Sequence, residues 1–307
     1  MPTETRFEGI LMPMPTPFME DGAVDERGLD AVIDFYLGAG VQGVFALGTH
    51  GQGMAMELDE RRKAAEQIVR RVKGKASIVL HIGTANTYSS IDLARHGAAL
   101  GVDALAVVPP YYYPHNDYEV FAHYQAIAKA VPGVPLFIYD NTETTHVHIT
   151  AAKALKIQEM ISPSKLAGIK VSFLPFDALL DYVVKLPASI GVFPGSIFSL
   201  FSGYSLGVRG AIHPPSSPFP ELCVKMFLAL KNNKLEEARK AHDALVPVLQ
   251  VVSRYLPQHG RATFGEIMRL RGLPVRRFPR WDCLPFTAQE REELKKALLE
   301  AGISLNL

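Results

Sequence analysis

Short apolar runs alternate with amphipathic, helix-type patterns along most of this chain of 307 residues. After the first run, for example, Leu29, Val32, Ile33 and Tyr36 recur at helical spacing. Runs that are apolar almost throughout are typical of parallel strands buried on both faces. The predicted strands cover residues 9–13, 43–47, 77–81, 104–108, 135–139, a run that ends at Lys170, 189–193 and 210–213.

A predicted helix follows each of these strands. The helices cover residues 25–39, 59–72, 87–100, 118–130, 150–160, 176–185, 197–206 and 214–231. Eight strand–helix units favour closure of the sheet into a barrel. An open doubly wound sheet is the alternative, but no Gly-x-Gly-x-x-Gly sequence opens a helix here. We therefore predict an α/β fold, a (β/α)8 TIM barrel.

The pattern changes to helices alone after the eighth unit, over residues 235–255, 262–271 and 287–301. We interpret residues 1–232 as the catalytic barrel domain and residues 233–307 as a C-terminal helical extension packed on it. Five arginines fall in this extension: Arg269, Arg271, Arg276, Arg277 and Arg280. A solvated or intersubunit ion-pairing face is favoured for them over a phosphate-binding or acidic-partner patch.

The charge balance narrows the classes of partner. Lys and Arg number 32 against 31 Asp and Glu, which argues against nucleic acid or an anionic membrane as a partner. Cys223 and Cys283 are too few for a disulfide framework and fit a reducing compartment. The N-terminus has no apolar stretch for export, and no run approaches the ~20 apolar residues of a membrane span. We expect a cytoplasmic protein.

Polar groups collect where the predicted strands end, which is where barrels of this type carry their reactive groups. No pair of carboxylates or metal-ligand spacing is among them, so we expect no metal and no cofactor. These residues are Thr49, His50, His81, Tyr111, Tyr112, Tyr113, Tyr139, Lys170, Gly195, Ser196 and His213.

Lys170 closes an apolar run, so its ammonium either reaches water or is held in a dry pocket. In the second case desolvation disfavours the charged form and leaves a nucleophilic amine. An amine among hydroxyls suits carbinolamine chemistry, in which the amine attacks a ketone and the phenol of Tyr139 moves protons. Taken singly, Lys170, Tyr139 and Thr49 each fit a structural role better, and only jointly do they favour chemistry.

Five short motifs together resemble the dihydrodipicolinate synthase/N-acetylneuraminate lyase family of pyruvate-dependent class I aldolases. They match in order and spacing, and the resemblance spans roughly residues 8 to 302. The motifs are Gly48-Thr-His-Gly51, Pro110-Tyr-Tyr112, Ile138-Tyr139 followed by Asp140-Asn141, Gly168-Ile-Lys170 and Pro194-Gly195.

The resemblance implies a role for each matching residue. Lys170 would form the Schiff base with pyruvate or another 2-oxo acid, and Tyr139 would be the acid/base, tuned by Thr49 and Tyr112. Tyr112 would reach into a neighbouring subunit's site, which implies a homodimer or homotetramer. The residues implied around the carboxylate are Gly48, the His50 backbone, Gly195 and Ile212.

Two departures from the family pattern bear on the substrate. His50 stands where a hydroxyl residue is usual, so the carboxylate contact there uses either the backbone or the imidazole. Thr144 stands where dihydrodipicolinate synthases have a carboxylate-gripping arginine, and Glu143 beside it would repel a carboxylate. Glu143 and Thr144 would instead contact the hydroxyls of a sugar-like aldehyde.

We therefore predict a carbon–carbon lyase that cleaves or forms a 2-oxo-3-deoxy (sugar) acid from pyruvate and an aldehyde. The alternatives within the family are dihydrodipicolinate synthase and a dehydratase or hydratase-aldolase that uses the same imine. A sugar-acid-binding barrel without catalysis remains a third possibility, because the turn at Thr49-His50 and the loop at Asp140-Asn141 are unusual. His50 and His213 can each be structural residues or substrate contacts.

Overall fold

The computed structural model describes residues 7–162, 164–172 and 174–305, and it confirms the predicted barrel fold. Eight parallel strands form one sheet in the order β7-β6-β5-β4-β3-β2-β1-β8, with helices between them. The strands are β1 (Gly9–Pro13), β2 (Gly43–Ala46), β3 (Ser77–His81), β4 (Ala104–Val107), β5 (Leu136–Asp140), β6 (Leu166–Val171), β7 (Gly191–Pro194) and β8 (Gly210–Ala211).

Twelve α-helices are present in the described part of the chain. They are α1 (Glu26–Gly38), α2 (Leu58–Val72), α3 (Thr87–Leu100), α4 (Asp117–Ala130), α5 (Thr142–Thr145), α6 (Ala151–Met160), α7 (Phe176–Lys185), α8 (Ile197–Gly203), α9 (Pro220–Lys231), α10 (Leu235–His259), α11 (Ala262–Leu270) and α12 (Ala288–Glu300). Short 3-10 turns cover Gly53–Ala55, Tyr204–Leu206 and Pro214–Ser216.

The sheet closes between its last strand and its first. Strand β1 pairs in parallel with both β2 and β8. At the other seam, the amide of Ile212 donates to the carbonyl of Pro194 at 3.1 Å, just past the ends of β8 and β7. This hydrogen bond nearly completes the ring, and it brings the ends of all eight strands to one rim.

Side chains alternate between two apolar layers, as the two-residue period of a strand requires. Phe45, Phe137 and Phe193 fill the barrel interior, and Leu11 joins them. Their neighbours in sequence face the helices instead and belong to the larger outer cluster. In β6, Lys170 comes two positions after Gly168, which lies on the interior face, so the lysine side chain must face the interior too.

Gly168 sets the environment of that lysine. A Cβ atom at this position would lie 2.5 Å from the Phe137 ring, so only glycine leaves room for the ring. Two residues later on the same face comes Lys170, which is in register with Tyr139 of β5. The sequence Gly168-Ile-Lys170 thus combines a packing requirement with a reactive group.

The C-terminal helices are tied to the barrel by packing and by hydrogen bonds. Helix α10 packs against α9 and α11. Phe18 and Arg277 exchange two backbone hydrogen bonds, of 2.9 and 3.1 Å. The Gln52 side chain accepts a hydrogen bond from the amide of Arg280 at 2.8 Å. The proposed division at residue 232 stays a prediction.

Several elements differ from the sequence prediction. Helix α10 continues to His259 rather than stopping near residue 255, with Pro247 and Pro257 inside it. Strand β8 ends at Ala211 rather than at His213. The short helix α5, over Thr142–Thr145, was not predicted, since a single turn leaves no periodic signal. Within the described residues, no helix combines the length and apolarity of a membrane span.

Candidate active site

Lys170 lies near the end of β6 and projects into the barrel, where it is only 2% exposed. Its Nζ lies 4.1 Å from the centre of the Tyr139 ring and 4.6 Å from that of Phe45. Burial lowers the pKa of the amine, an effect that the adjacent Tyr139 only partly opposes. No Asp or Glu of the described chain forms an ion pair with it. The amine is therefore poised to act as a nucleophile.

The hydroxyl of Tyr139 is the centre of a polar cluster. It lies 3.1 Å from Thr49 Oγ1 and accepts a hydrogen bond from Asn141 Nδ2, also at 3.1 Å. Burial alone would raise the pKa of this phenol. The charge of Lys170 and hydrogen bonds with Thr49, Lys170 and Ser172 outweigh burial, so the pKa is lowered. A buried phenol whose anion is stabilised in this way can exchange protons with a bound substrate.

Asn141 and Ser172 were not singled out from the sequence as members of the site. Asn141 follows β5, and its side chain also contacts Thr49 Oγ1 at 3.4 Å. Ser172 follows β6, two residues after Lys170. The available signal was the position of each residue just past the end of a strand. Reactive groups of such barrels collect there, and the same rule had already selected Tyr139 and Lys170.

The turn after β2 presents its backbone to the cavity. A Cβ atom at Gly48 would lie 2.7 Å from the Phe45 ring, so the chain can pass the ring only as glycine. Within the described structure, the amides of Thr49 and His50 have no hydrogen-bond acceptor in the protein. Two adjacent N–H groups beside a bound ketone are suited to receive its carboxylate.

The imidazole of His50 is fully engaged by other side chains. Its Nε2 lies 2.9 Å from Ser217 Oγ, and Nδ1 lies 3.4 Å from Arg261 Nη1. Since arginine can only donate, Nδ1 is the acceptor and Nε2 carries the hydrogen. Burial, followed by the charges of Arg261, Lys170 and His213, lowers the pKa, so the ring is neutral. The sequence left open whether His50 contacts a carboxylate through its backbone or its imidazole. Because the imidazole is already bonded and neutral, the backbone contact is favoured.

A cavity of about 530 Å³ joins these groups. Seven of the predicted site residues line it. They are Lys170, Tyr139, Thr49, His50, Glu143, Thr144 and Gly195. Its wall also includes Asn141, Ser172, Ser196, His213, Leu256, Arg261 and Phe264. Three of these, Leu256, Arg261 and Phe264, come from the C-terminal helical extension.

The other three predicted site residues lie elsewhere in the chain. Gly48 is buried behind the turn, and Ile212 packs in the barrel interior. The Ile212 amide is already bonded to Pro194, so it has no free donor for a carboxylate. Tyr112 is 82% exposed on the surface, at a backbone φ of +82°. This left-handed conformation is uncommon for an aromatic residue.

His213 lines the cavity and is half-buried. Burial, and then the charge of Lys170, lowers its pKa to about 3. Its Nδ1 has no hydrogen-bond partner among the residues that the structure describes. A neutral imidazole with one unsatisfied ring nitrogen can still contact a ligand.

A second, smaller cavity of about 290 Å³ adjoins the first at Thr49 and Thr144. It is mainly apolar, and Tyr111, Met54 and Trp281 line it. Met54 and Trp281 are 39% and 49% exposed, although both are large apolar side chains. The cavity is large enough to receive an aromatic ring beside Thr49.

Comparison with known proteins assigns nearly the whole chain to one protein family. A family model described as the dihydrodipicolinate synthetase family matches residues 6–301. An N-acetylneuraminate lyase from Rhizobium meliloti is 29% identical, over 96% of this chain and 94% of its own. A probable 2-dehydro-3-deoxy-D-pentonate aldolase from Escherichia coli is 28% identical, over 94% of each chain.

A solved structure shares the fold. It is a prophage protein of the dihydrodipicolinic acid synthase family from Escherichia coli K12, in complex with pyruvate. It superposes with a TM-score of 0.85 at 24% identity, over 97% of this chain and 100% of its own. At this identity the likeness establishes the fold alone.

Proposed function

Because this chain belongs to the dihydrodipicolinate synthetase family of carbon–carbon lyases of the class I aldolase type, we propose that Lys170 is its Schiff-base residue. The observation that carries the proposal is the buried amine of Lys170, which pairs with no carboxylate of the described residues and lies 4.1 Å from the ring centre of Tyr139, a hydrogen-bonded phenol. Its substrates would be pyruvate and an aldehyde, joined into a 2-oxo-3-deoxy acid or released from it. A barrel that only bound such acids would gain nothing from a desolvated amine beside a phenol.

The first half of the reaction forms an imine. The neutral Lys170 amine attacks the keto carbon of pyruvate, and the resulting carbinolamine loses water when its hydroxyl receives a proton from Tyr139. The carboxylate of pyruvate would rest on the free amides of Thr49 and His50. The Gly195 side of the cavity and Ser172 would border the same molecule.

The second half forms the carbon–carbon bond. The Tyr139 phenolate left by the first half takes a proton from the methyl group and converts the protonated imine to an enamine, whose terminal carbon attacks the aldehyde carbon. The aldehyde oxygen becomes a hydroxyl by taking the proton of Tyr139. Water then hydrolyses the imine, releases the 4-hydroxy-2-oxo acid and restores Lys170. Cleavage is the same path in reverse.

For the aldehyde we propose a hydroxylated, sugar-derived compound. Glu143 and Thr144 line the cavity after β5 and offer hydrogen bonds to hydroxyl groups. The similarity to relatives that act on sugar acids supports the same class. Dihydrodipicolinate synthase, or a dehydratase that uses the same imine, is the second candidate, and both lie within the family.

The assembly we propose is a homodimer or homotetramer in which Tyr112 enters the partner's smaller cavity. The exposed ring of Tyr112, its unusual backbone angle and the apolar cavity beside Thr49 support this proposal. There the phenol would complete the relay of Tyr139 and Thr49. We also propose a cytoplasmic location, which the two free thiols support.

The test is reductive trapping. The protein is incubated with pyruvate and borohydride, digested, and mapped by mass spectrometry, and a panel of 2-oxo-3-deoxy acids is then assayed for cleavage. We expect one covalent label, on the peptide that carries Lys170, and none in the Lys170→Ala variant. A label on another lysine, or no label with any 2-oxo acid, would overturn the proposal.

A further inference from the structure

Arg261 is a cation in the wall of the cavity. It lies at the junction of α10 and α11, half-buried, and lines the same cavity as Lys170. Its single side-chain hydrogen bond among the described residues goes to a neutral acceptor, Nδ1 of His50. No Asp or Glu of the described chain pairs with it. A desolvated guanidinium left without a carboxylate is costly unless a ligand supplies one.

The protein holds this guanidinium in place. Ser217, His50 and Arg261 form a hydrogen-bonded chain, in which Nδ1 of His50 accepts from the guanidinium of Arg261 and Nε2 donates to Ser217 Oγ. The imidazole packs edge-on against Phe264 and Phe278, with ring centres 5.0 and 5.5 Å away. Arg261 retains further N–H donors for a ligand after this one bond.

The carboxylate of pyruvate already has a different receptor. The free amides of Thr49 and His50 lie in the turn after β2, beside Thr49 and the phenol of Tyr139. The side chain of His50 instead packs against Phe264 of α11, and its Nδ1 accepts the hydrogen bond from Arg261. At about 530 Å³ the cavity falls in the range of sites for ligands much larger than pyruvate. The cavity therefore has room for a second substrate, and Arg261 is one of the residues that line it.

We propose that Arg261 binds a carboxylate at the far end of the aldehyde, so that the product is a 2-oxo-3-deoxy sugar acid with a carboxylate at each end. This inference rests on the proposed function. The expectation that aldehydes bearing carboxylates are disfavoured came from Glu143 and Thr144 alone. Glu143 is exposed and forms no ion pair with Arg261 in the described structure, so solvent screens its repulsion.

Each atom of the reaction stays accounted for. The enamine carbon derived from pyruvate attacks the aldehyde carbon of a molecule such as tartronate semialdehyde. One carbon–carbon bond forms, the carbonyl oxygen takes a proton, and the distal carboxylate is unchanged. Arg261 touches only this spectator group, and it acts as a specificity residue through a charge-assisted, bidentate contact.

A matched pair of aldehydes tests the proposal. Tartronate semialdehyde and glyceraldehyde share their first two carbons and differ in a carboxylate against a hydroxymethyl group. For each, kcat/KM with saturating pyruvate is measured in the parent protein and in Arg261→Gln, Arg261→Lys and Arg239→Gln. Arg239 is an exposed arginine of α10 and serves as the control. Succinate semialdehyde and butanal form a second, longer pair.

We expect the parent to prefer the carboxylated member of at least one pair, and Arg261→Gln to lose that preference by about 10- to 100-fold. Arg261→Lys should retain part of it, and Arg239→Gln all of it. Pyruvate trapping in Arg261→Gln should still label the peptide that carries Lys170, which also shows that the variant is folded.

Other outcomes separate the two proposals. If the parent traps no 2-oxo acid, the proposed function fails. If trapping is normal but neither pair shows a preference for the carboxylate, or Arg261→Gln leaves the preference intact, the role of Arg261 is wrong. A rise in the KM for pyruvate with an unchanged aldehyde ratio would likewise overturn it, since Arg261 would then serve the pyruvate carboxylate.

Discussion

Two walls of one cavity are built in different ways. The strand-end wall consists of Lys170, Tyr139, Thr49 and Asn141, which lie at the ends of β2, β5 and β6 and in the loops after them. The helical wall includes Leu256, Arg261 and Phe264, and His50 joins the last two to the barrel. The first concentrates an amine and hydroxyls, whereas the second presents a cation and apolar surface. The difference separates the reaction from the choice of its second substrate.

The largest expected effect comes from Lys170. Replacing it with Ala removes the nucleophile, so turnover with every substrate should fall on the order of 10⁴-fold or more. The control is Lys165→Ala, at the exposed position just before the same strand. Steady-state assays and trapping check it. Activity of Lys170→Ala near the parent level would mean that the strand-end wall does not carry the reaction.

Tyr139→Phe should lower kcat by about 10²-fold, because a positioned acid/base is lost. The loss should be equal for carboxylated and neutral aldehydes, unlike that of a change at Arg261. Tyr124→Phe is the matched control, since that buried phenol bonds to the Val107 carbonyl outside the cavity. A Tyr139→Phe turnover within a few-fold of the parent would assign Tyr139 to packing.

The strand-end wall, apart from Asn141, follows from sequence because the place of each of its residues at the end of a strand is set by the local pattern. Apolar runs and a two-residue period place Lys170 and Tyr139 on the same interior face, and the matched motifs gave the family, which is confirmed. The helical wall depends on contacts between distant positions. Arg261 and His50 are separated by 211 positions in the sequence, and no periodic pattern predicts a contact between residues so far apart. A guanidinium in the middle of a predicted helical extension looks like any surface arginine until the fold is known.

Acid should destabilise the protein partly through His213. Its pKa is about 3 in the folded chain, against 6.5 in the unfolded chain, so the unfolded state binds more protons between these values. The stabilisation is complete above pH 6.5 and is lost as the pH falls towards 3, by about 1.4 kcal/mol per pH unit.

His213→Gln should flatten this part of the stability curve, as urea unfolding at a series of pH values would measure. His242→Gln removes a histidine of α10 that lies outside the cavity, and it is the control. An equal acid dependence in the parent and in His213→Gln would show that His213 does not remain neutral in the folded protein.

The smallest effect sharpens the contrast between the walls. Glu143→Gln removes an exposed negative charge from the cavity mouth, so kcat/KM for a carboxylated aldehyde should rise by no more than about five-fold. Glyceraldehyde should not gain, because it has no charge to be repelled. Rates at two salt concentrations check the assignment, since added salt should shrink the gain. A gain on glyceraldehyde of the same size would identify a steric effect.

The helix α10 offers a route to divergence that the strands do not. An α-helix turns by about 100° per residue, so one residue gained or lost in α10 would swing position 261 around its axis. The same event in β6 would turn Lys170 out of the barrel and end catalysis. Descendants of this chain can therefore change their second substrate by a single insertion or deletion in α10 while they keep the amine, whereas β6 tolerates no such event.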